Sequence, residues 1–258
     1  MVTNKKAASK ILIGCALLFL QVACVSTTHN GKSIDKDKVV TAQVRLAKAY
    51  VQAGEPGQAR KPLEKALDYN SRSGEAYSLL AMVNQFEGEN ELAEKSFRKA
   101  ISYSEDPSDV HNNYGAFLYA QGRYREALKQ LDKAASNVYY PRRSRSYENM
   151  GLVALKLDEK ELAQKYFKKG LRLNTRLPRA HLELAEILFQ QQKYAQAKQH
   201  YEQFKQLSRQ SARSLWLGVQ IARVFEDNDV IASYGLQLKK MYPGSKELKQ
   251  YQGLSTDE

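Results

Sequence analysis

Small apolar residues recur along this chain at a nearly constant interval. One series runs through Ala66, Ala100, Ala134 and Gly170, with spacings of 34, 34 and 36 residues. A second series, seven residues earlier, holds Ala59, Ala93, Ala127, Ala163 and Ala197, with Ile231 in sixth place. A third holds Ala47, Ala81, Gly115, Gly151 and Ala185. A period of this length indicates a stacked array of short repeats.

The residue types in these series predict pairs of antiparallel helices. Two helices can approach closely only where small side chains lie at the contact. Large apolar residues fill the space one turn away, at Leu63, Phe97, Leu131, Phe167 and Tyr201. The turn inside each pair is expected at Gly54, Gly88, Gly122, Asp158 and Gln192, since a small side chain eases a tight turn. Stacked pairs then bury a continuous core that no single pair can bury alone.

This pattern resembles the tetratricopeptide repeat (TPR) family over about residues 40 to 243. The resemblance implies an all-α fold, a right-handed superhelical solenoid of about six helix-turn-helix repeats. The predicted units are 40–73, 74–107, 108–143, 144–177, 178–211 and 212–245, which together form a TPR domain over 40–245. The sixth unit lacks most of the small residues, so we predict a degenerate or capping unit. A C-terminal cap and tail is expected over 246–258.

The N-terminal segment has the pattern of an export signal. Three lysines within the first ten residues precede an apolar run from Ile11 to Ala23, which is shorter than the roughly 20 residues of a transmembrane helix. The run ends at Cys24 in a sequence that resembles a bacterial lipobox, although Gln21 stands where Leu is usual. A rival lipobox at Cys15 leaves too short an apolar segment before it. We predict a lipoprotein signal peptide over 1–23 and lipidation of Cys24.

The residues after Cys24 are polar and lack apolar periodicity, which predicts a lipidated N-terminus and flexible tether over 24–39. Multiple acyl chains would attach the mature protein stably to a membrane, whereas one chain binds only marginally. Lipoproteins retained at the inner membrane commonly carry Asp after the lipidated cysteine, and Val25 stands there instead. By that resemblance we expect the protein on the periplasmic face of the outer membrane.

The formal net charge is +12, with acids and bases interleaved along the predicted helices. This charge is compatible with an ordinary solvated surface, or with attraction to an acidic partner or an anionic membrane. No aromatic-basic pattern or known nucleic-acid motif occurs, so we expect no nucleic-acid partner.

The sequence offers little for catalysis. It has no Gly-rich phosphate loop and no nucleophile elbow. His111 and His181 occupy the repeat position held by tyrosine in other units, so we interpret them as packing residues. His200 is expected on an exposed, Gln-rich helix. We predict no catalytic residues, no cofactor and no metal site, although an unrecognised acid/base pair in a pocket stays open.

One connection between units is two residues longer than the others. It contains Asn137-Val138-Tyr139-Tyr140-Pro141-Arg142-Arg143, and Pro141 disfavours helix at the residue before it. Tyrosine and arginine are common in binding surfaces. The alternative is that the tyrosines pack beneath the loop.

In the TPR family the first helix of each pair lines a concave groove that binds peptide segments. Carrying over the groove-facing places of that family predicts a mixed apolar and polar lining: Lys48, Met82, Phe86, Asn112, Tyr119, Glu148, Leu152, Phe189, Trp216 and Arg223. Each of these residues could instead belong to the core.

Several segments go beyond a generic repeat, among them Asn112–Tyr119, Tyr140–Arg145, Ala212–Gly218 and Ala232–Gly244. Together they resemble the type IV pilus biogenesis and stability lipoprotein family, called PilF or PilW. The resemblance implies an outer-membrane pilotin that binds secretin subunits and promotes their localisation and multimerisation. It also implies a monomer, without an enzyme activity.

The same resemblance favours the N-terminal units as the secretin-binding end. The residues implied are Lys48, Tyr50, Met82 and Phe86. An alternative interpretation is a TPR lipoprotein adaptor for periplasmic cell-wall enzymes.

Overall fold

The structure, a computed structural model, describes residues 35–254, and they fold into α-helices joined by short connections. The predicted signal peptide, Cys24 and most of the tether lie outside the described residues, as do residues 255–258. The helices are α1 (Lys36–Gln52), α2 (Arg60–Tyr69), α3 (Gly74–Phe86), α4 (Asn90–Tyr103), α5 (Ser108–Ala120), α6 (Tyr124–Ser136), α7 (Arg143–Lys156), α8 (Lys160–Leu173), α9 (Pro178–Gln190), α10 (Tyr194–Leu207), α11 (Ala212–Val224), α12 (Asn228–Met241) and α13 (Lys246–Leu254).

These helices form the predicted all-α solenoid. α1 and α2 make the first unit, each later pair makes the next, and α13 packs against α11 and α12 at the C-terminal end. Odd-numbered helices of adjacent units also contact one another: α1 with α3, α5 with α7, α7 with α9, and α9 with α11. The starts of α3, α5, α9 and α11 coincide with the predicted starts of their units. α1 begins at Lys36, four residues before the predicted boundary.

The turn inside each pair uses a left-handed backbone conformation. Gly54, Gly88 and Gly122 have φ between 73° and 82°, a region that glycine enters without steric cost. Asp158 and Gln192 adopt φ of 60° and 57° at the equivalent places. Glu226, which the sequence analysis did not assign, has φ 57° in the sixth pair. The turn therefore keeps its geometry even where the glycine has been replaced.

The repeated small residues lie where the helices touch. Ala66, Ala100 and Ala134 are fully buried, and Gly170 lies against the backbone oxygen of Ser144. The large residues one turn away are also buried, and three core clusters follow one another along the chain. Phe97 packs between the second and third units, with its ring centroid 5.2 Å from Tyr114 and 5.5 Å from Phe117. The core is therefore built from contacts between neighbours.

Ion pairs connect adjacent units at their surface. Arg123 donates to the Glu94 carboxylate at 2.5 Å, which joins the third unit to the second. This guanidinium, with smaller contributions from Tyr114 and Arg98, lowers the pKa of Glu94 to about 2. In the C-terminal half, Arg213 forms two hydrogen bonds to Glu183, at 2.9 and 2.7 Å. In both pairs the carboxylate is mostly buried. These pairs therefore contribute more to the stability of the fold than fully exposed ion pairs do.

Within residues 35–254, no helix combines the length and the apolar character that crossing a membrane requires.

Candidate partner-binding groove

The first helices of the N-terminal units line a cavity of about 350 Å³. Its apolar part comes from Val51, Leu79, Met82 and Val110. Charged side chains border this part, and they come from α1, α3, α5 and two connecting loops: Lys48, Glu75, Asp106, Asp109 and Arg142. This volume lies within the range of ligand pockets in proteins. An apolar strip bordered by charges of both signs can bind a short segment of mixed polarity.

A second cavity, of about 520 Å³, lies between the first helices of the fifth and sixth units. Phe189 and Trp216 supply its aromatic surface, and the Phe189 ring packs edge-on against Tyr194 with centroids 5.2 Å apart. Much of the remaining lining is polar, with glutamine side chains and both ends of the Arg213–Glu186 ion pair. α13 closes the far side of the cavity through Lys246, Glu247 and Gln250.

The structure brings some of the predicted groove residues together. Lys48 and Met82 line the N-terminal cavity, and Phe189 and Trp216 line the C-terminal one. Phe86 is 68% exposed at the end of α3, outside both linings. The sequence prediction therefore identified residues of two separate cavities.

Four other predicted groove residues pack against, or form hydrogen bonds with, residues of the solenoid itself. Leu152 is 7% exposed and belongs to the C-terminal core cluster, which agrees with core packing, the alternative that the sequence left open for each predicted groove residue. Tyr50 packs partly against the N-terminal core. Tyr119 packs against Tyr124 at a centroid distance of 5.6 Å. Asn112 accepts hydrogen bonds from Ser146 and Asn149 in the next unit, at 3.1 and 3.2 Å, so it ties α5 to α7.

Of two further predicted groove residues, Glu148 is hydrogen-bonded to the next unit and Arg223 is exposed. Glu148 accepts a hydrogen bond from the backbone N–H of Ala180 in the first turn of α9, at 3.0 Å. Burial raises the pKa of Glu148, and the carboxylate serves as a cap for that helix. Arg223 is exposed near the end of α11.

Asp109 is a groove residue that the sequence analysis missed. Its carboxylate accepts a hydrogen bond from the Tyr140 hydroxyl at 2.6 Å and pairs with Arg142. Burial, followed by the adjacent carboxylate, raises the pKa of Tyr140. Tyr140 and Arg142 of the long connection thus both contact α5. The two-residue insertion marked this loop in the sequence, but no signal pointed to its partner on α5.

In the long connection, one tyrosine packs beneath the loop and the other is exposed to solvent, so each of the two alternatives holds for one of them. Tyr140 is buried, whereas Tyr139 is 89% exposed. Asn137 holds the start of the loop by donating to Ser108 at 2.9 Å and to Asp106 at 3.2 Å. The loop therefore presents Val138 and Tyr139 to solvent from a fixed base.

Comparison with known proteins decides the family. Tetratricopeptide repeat models match residues 106–176, residues 74–107 and, in two pieces, residues 44–85 and 148–212. Type IV pilus assembly protein PilF of Pseudomonas aeruginosa is 43% identical over 247 residues, which cover 93% of this chain and 98% of that protein. The chain belongs to the PilF family.

Solved structures agree with membership of the PilF family. A structure of Pseudomonas aeruginosa PilF has a TM-score of 0.82 and 45% identity, and the match covers 84% of this chain and 98% of that one. The crystal structure of PilW, described as a widely conserved type IV pilus biogenesis factor, has a TM-score of 0.71 and 28% identity. That match covers 83% of this chain and 98% of PilW. The TPR solenoid of this PilF-family chain is thus shared with both proteins over nearly their full solved length.

The three histidines within residues 35–254 of this PilF-family chain pack between helices. His111 lies 2.8 Å from the side-chain oxygen of Gln130. His181 and His200 face each other with their Nδ1 atoms 3.0 Å apart. His200 is therefore half-buried against α9, which corrects our expectation of an exposed residue. Among residues 35–254, no group of three or more potential ligand side chains could hold a metal ion.

The His181–His200 pair has a fixed arrangement of protons. His181 Nε2 lies 3.0 Å from the carbonyl oxygen of Thr175, so this nitrogen must donate. His181 Nδ1 is then the acceptor, and His200 Nδ1–H is the donor. Burial lowers the pKa of both histidines, and His181 and Lys168 add to the effect at His200, whose pKa falls to about 4.

This pair predicts a loss of stability in mild acid. Both histidines stay neutral in the folded state at pH values where the unfolded chain already binds protons. The contribution of this pair to the free energy of unfolding is therefore at its full value above pH 6.5 and falls as the pH drops toward 4. Replacing both with tyrosine reproduces the stacked Tyr147–Tyr166 pair of the fourth unit. We expect a smaller drop in Tm between pH 7 and pH 4.5 in this double variant.

Thermal melts followed by circular dichroism measure this effect. The Tm of the double variant at pH 7 serves as the control for intact packing. An equal drop in Tm for the variant and the wild type would contradict the assignment of the acid sensitivity to this pair.

Proposed function

We propose that this protein is an outer-membrane lipoprotein pilotin of the type IV pilus, which binds secretin subunits and promotes their outer-membrane localisation and multimerisation. Membership of the PilF family, over 93% of the chain, is the observation that carries the proposal. The protein acts by binding rather than by catalysis. It is a monomer attached to the membrane through acyl chains on Cys24.

The N-terminal cavity supports this function physically. Its apolar strip along α3 and α5 is open to a partner, with Met82 half-buried within it. Lys48 lies at one border and the Asp109–Arg142 pair at another. A secretin segment with an apolar side chain and flanking charges of both signs would bury the strip while its charges meet opposite ones. Such an arrangement gives specificity as well as affinity.

The anchor and the cavity have separate roles. Acyl chains give the protein its affinity for the membrane, and the cavity gives it affinity for the secretin. A subunit bound in the cavity is carried to the outer membrane with the lipoprotein. Assembly there follows from the raised local concentration of subunits.

Replacing Cys24 with serine tests the role of the anchor. We expect secretin multimers to disappear from the outer-membrane fraction and twitching motility to be lost, while the variant still captures secretin. The measurement is the distribution of multimers between membrane fractions. Multimers that form in the outer membrane at the normal level would reject the proposal.

A matched pair of substitutions tests the cavity. Met82→Glu places a charge on the apolar strip, and Leu92→Glu places the same charge on α4, where Leu92 is 49% exposed. We expect Met82→Glu to weaken secretin capture by at least tenfold and Leu92→Glu to leave it within twofold. If pull-downs instead recover cell-wall hydrolases and no secretin, the adaptor interpretation replaces the pilotin.

A further inference from the structure

The two edges of the solenoid differ in charge. Because short connections make successive helices antiparallel, every odd-numbered helix up to α11 begins on the same edge, where the links between units also lie. We call this the inter-repeat edge. The turns inside each pair form the opposite edge.

Basic residues dominate the inter-repeat edge from the third unit onward. The four connections there, with one helical turn on each side, span residues 133–146, 170–181, 204–215 and 238–249. These segments contain fourteen lysine and arginine residues and one acid, Glu247, which is nearly buried. Nine of the bases are exposed and form no salt bridge within residues 35–254: Lys133, Arg145, Arg172, Arg176, Arg179, Arg209, Lys239, Lys240 and Lys249. We call these nine the basic edge.

The opposite edge is acidic at alternate units. The turns after α3, α7 and α11 each carry three carboxylates within five residues, at 87–91, 158–161 and 226–229. The net charge of +12 is thus distributed unevenly. A flat anionic surface would attract the basic part of the inter-repeat edge, from the third unit onward, and would repel the acidic turns of the opposite edge.

Exposed apolar side chains lie among the bases of the same edge. Val138 is 64% and Tyr139 is 89% exposed at the tip of the long connection. Leu173 and Met241 are 51% and 56% exposed in the last turns of α8 and α12. Lysine and arginine interspersed with tyrosine and aliphatic side chains are typical of surfaces that rest in the headgroup region of a bilayer.

The path of the chain is compatible with this contact. α1 begins at Lys36 on the inter-repeat edge, so the segment from Cys24 joins the solenoid there. Twelve residues separate the two positions, and at about 3.5 Å per residue they reach at most about 40 Å. An anchored solenoid is therefore held within reach of the lipid surface by the edge that carries the basic residues.

We propose that the basic edge binds anionic phospholipid headgroups, with Tyr139 and its apolar neighbours entering the interface. This inference rests on the proposed lipid anchor. The edge contact turns a flexible attachment into a defined orientation, in which the helices stand on the membrane by their ends. The groove then faces sideways, where a partner in the same membrane plane can reach it.

Vesicle binding without the acyl chains tests the proposal. The protein is the full mature chain, residues 24–258 with Cys24→Ser, mixed with vesicles of phosphatidylethanolamine containing about one third phosphatidylglycerol. We expect co-sedimentation with these vesicles and not with phosphatidylcholine vesicles. Because the contact is electrostatic, 0.5 M salt should release the protein.

Two variants with the same change in net charge separate the edge from the overall charge. The edge variant carries Arg176→Glu, Arg209→Glu, Lys239→Glu and Lys240→Glu. The control variant carries Lys61→Glu, Lys65→Glu, Lys129→Glu and Lys165→Glu, at exposed positions on the second helices. We expect the edge variant to bind at least tenfold more weakly and the control variant to stay within threefold of the wild type.

Equal loss in both variants, or no binding by the wild type, would overturn the inference. Loss of secretin capture in the edge variant without loss of vesicle binding would assign the edge to a protein partner instead. In either case the Cys24→Ser measurement of secretin multimers in cells still reports on the pilotin function by itself, so the two proposals can fail separately.

Discussion

Replacing Phe97 with alanine is expected to lower the free energy of unfolding by about 3–5 kcal/mol, the range for truncating a fully buried aromatic side chain. The Phe97 ring is 0% exposed and contacts the rings of Tyr114 and Phe117. Its removal therefore leaves a cavity between the second and third units. Because each unit is stabilised by its neighbours, the loss should weaken the stacking of the second unit on the third.

Urea unfolding followed by circular dichroism at 222 nm measures this loss. Phe86→Ala is the matched control, since Phe86 is 68% exposed and its truncation should change the free energy by less than about 0.5 kcal/mol. Similar losses in the two variants would show that the core between these units is not packed as described.

Replacing Gly151 with valine is expected to destabilise the protein by about 3 kcal/mol, at the upper end of the usual cost of overpacking. A Cβ atom at Gly151 would lie 2.4 Å from Cε1 and 2.6 Å from Cδ1 of Phe167. Phe167 is fully buried, so its ring has no open space to move into. The helix would have to shift away from α8, and the contact within the fourth unit would open.

The same measurement with two further variants tests the cause. Gly253→Val is the control, because a Cβ at Gly253 meets nothing within 4 Å. Adding Phe167→Leu to Gly151→Val shortens the clashing side chain, so the double variant should lose less than the sum of the two single losses. Additive losses would mean that the clash with Phe167 is not what excludes larger residues at position 151.

The sequence predicted the architecture well because the packing rules repeat. A small residue where two helices touch imposes the same requirement in every unit, so Ala93, Ala127 and Ala163 show the same burial. The turn positions are equally repetitive, and even Glu226 follows the interval of 34 residues from Gln192. Repetition averages over local exceptions, which is why the units could be placed from spacing alone.

The candidate groove was less predictable because its contacts occur once. The pairing of Asp109 with Arg142 joins α5 to a loop of unusual length. No periodic series in the sequence includes these two residues, so the pairing could not be predicted from spacing. Leu152 occupies a groove place in the repeat but is covered by the C-terminal core cluster. His200 lies in a polar stretch of sequence, yet it is half-buried, and its Nδ1–H donates a hydrogen bond to His181. The contacts and burial of such residues depend on individual neighbours that the repeat pattern does not specify.

The division of the core into three successive clusters has a mechanical consequence. The cluster between α1 and α3 contains fewer buried side chains than the other two, and it lies where the chain enters the solenoid at Lys36. Tension applied through the N-terminal segment acts on this cluster first, since each unit transmits force only to its neighbour. The first helix pair would give way under load before the central and C-terminal pairs, so a sudden pull could be absorbed while most of the solenoid stays folded.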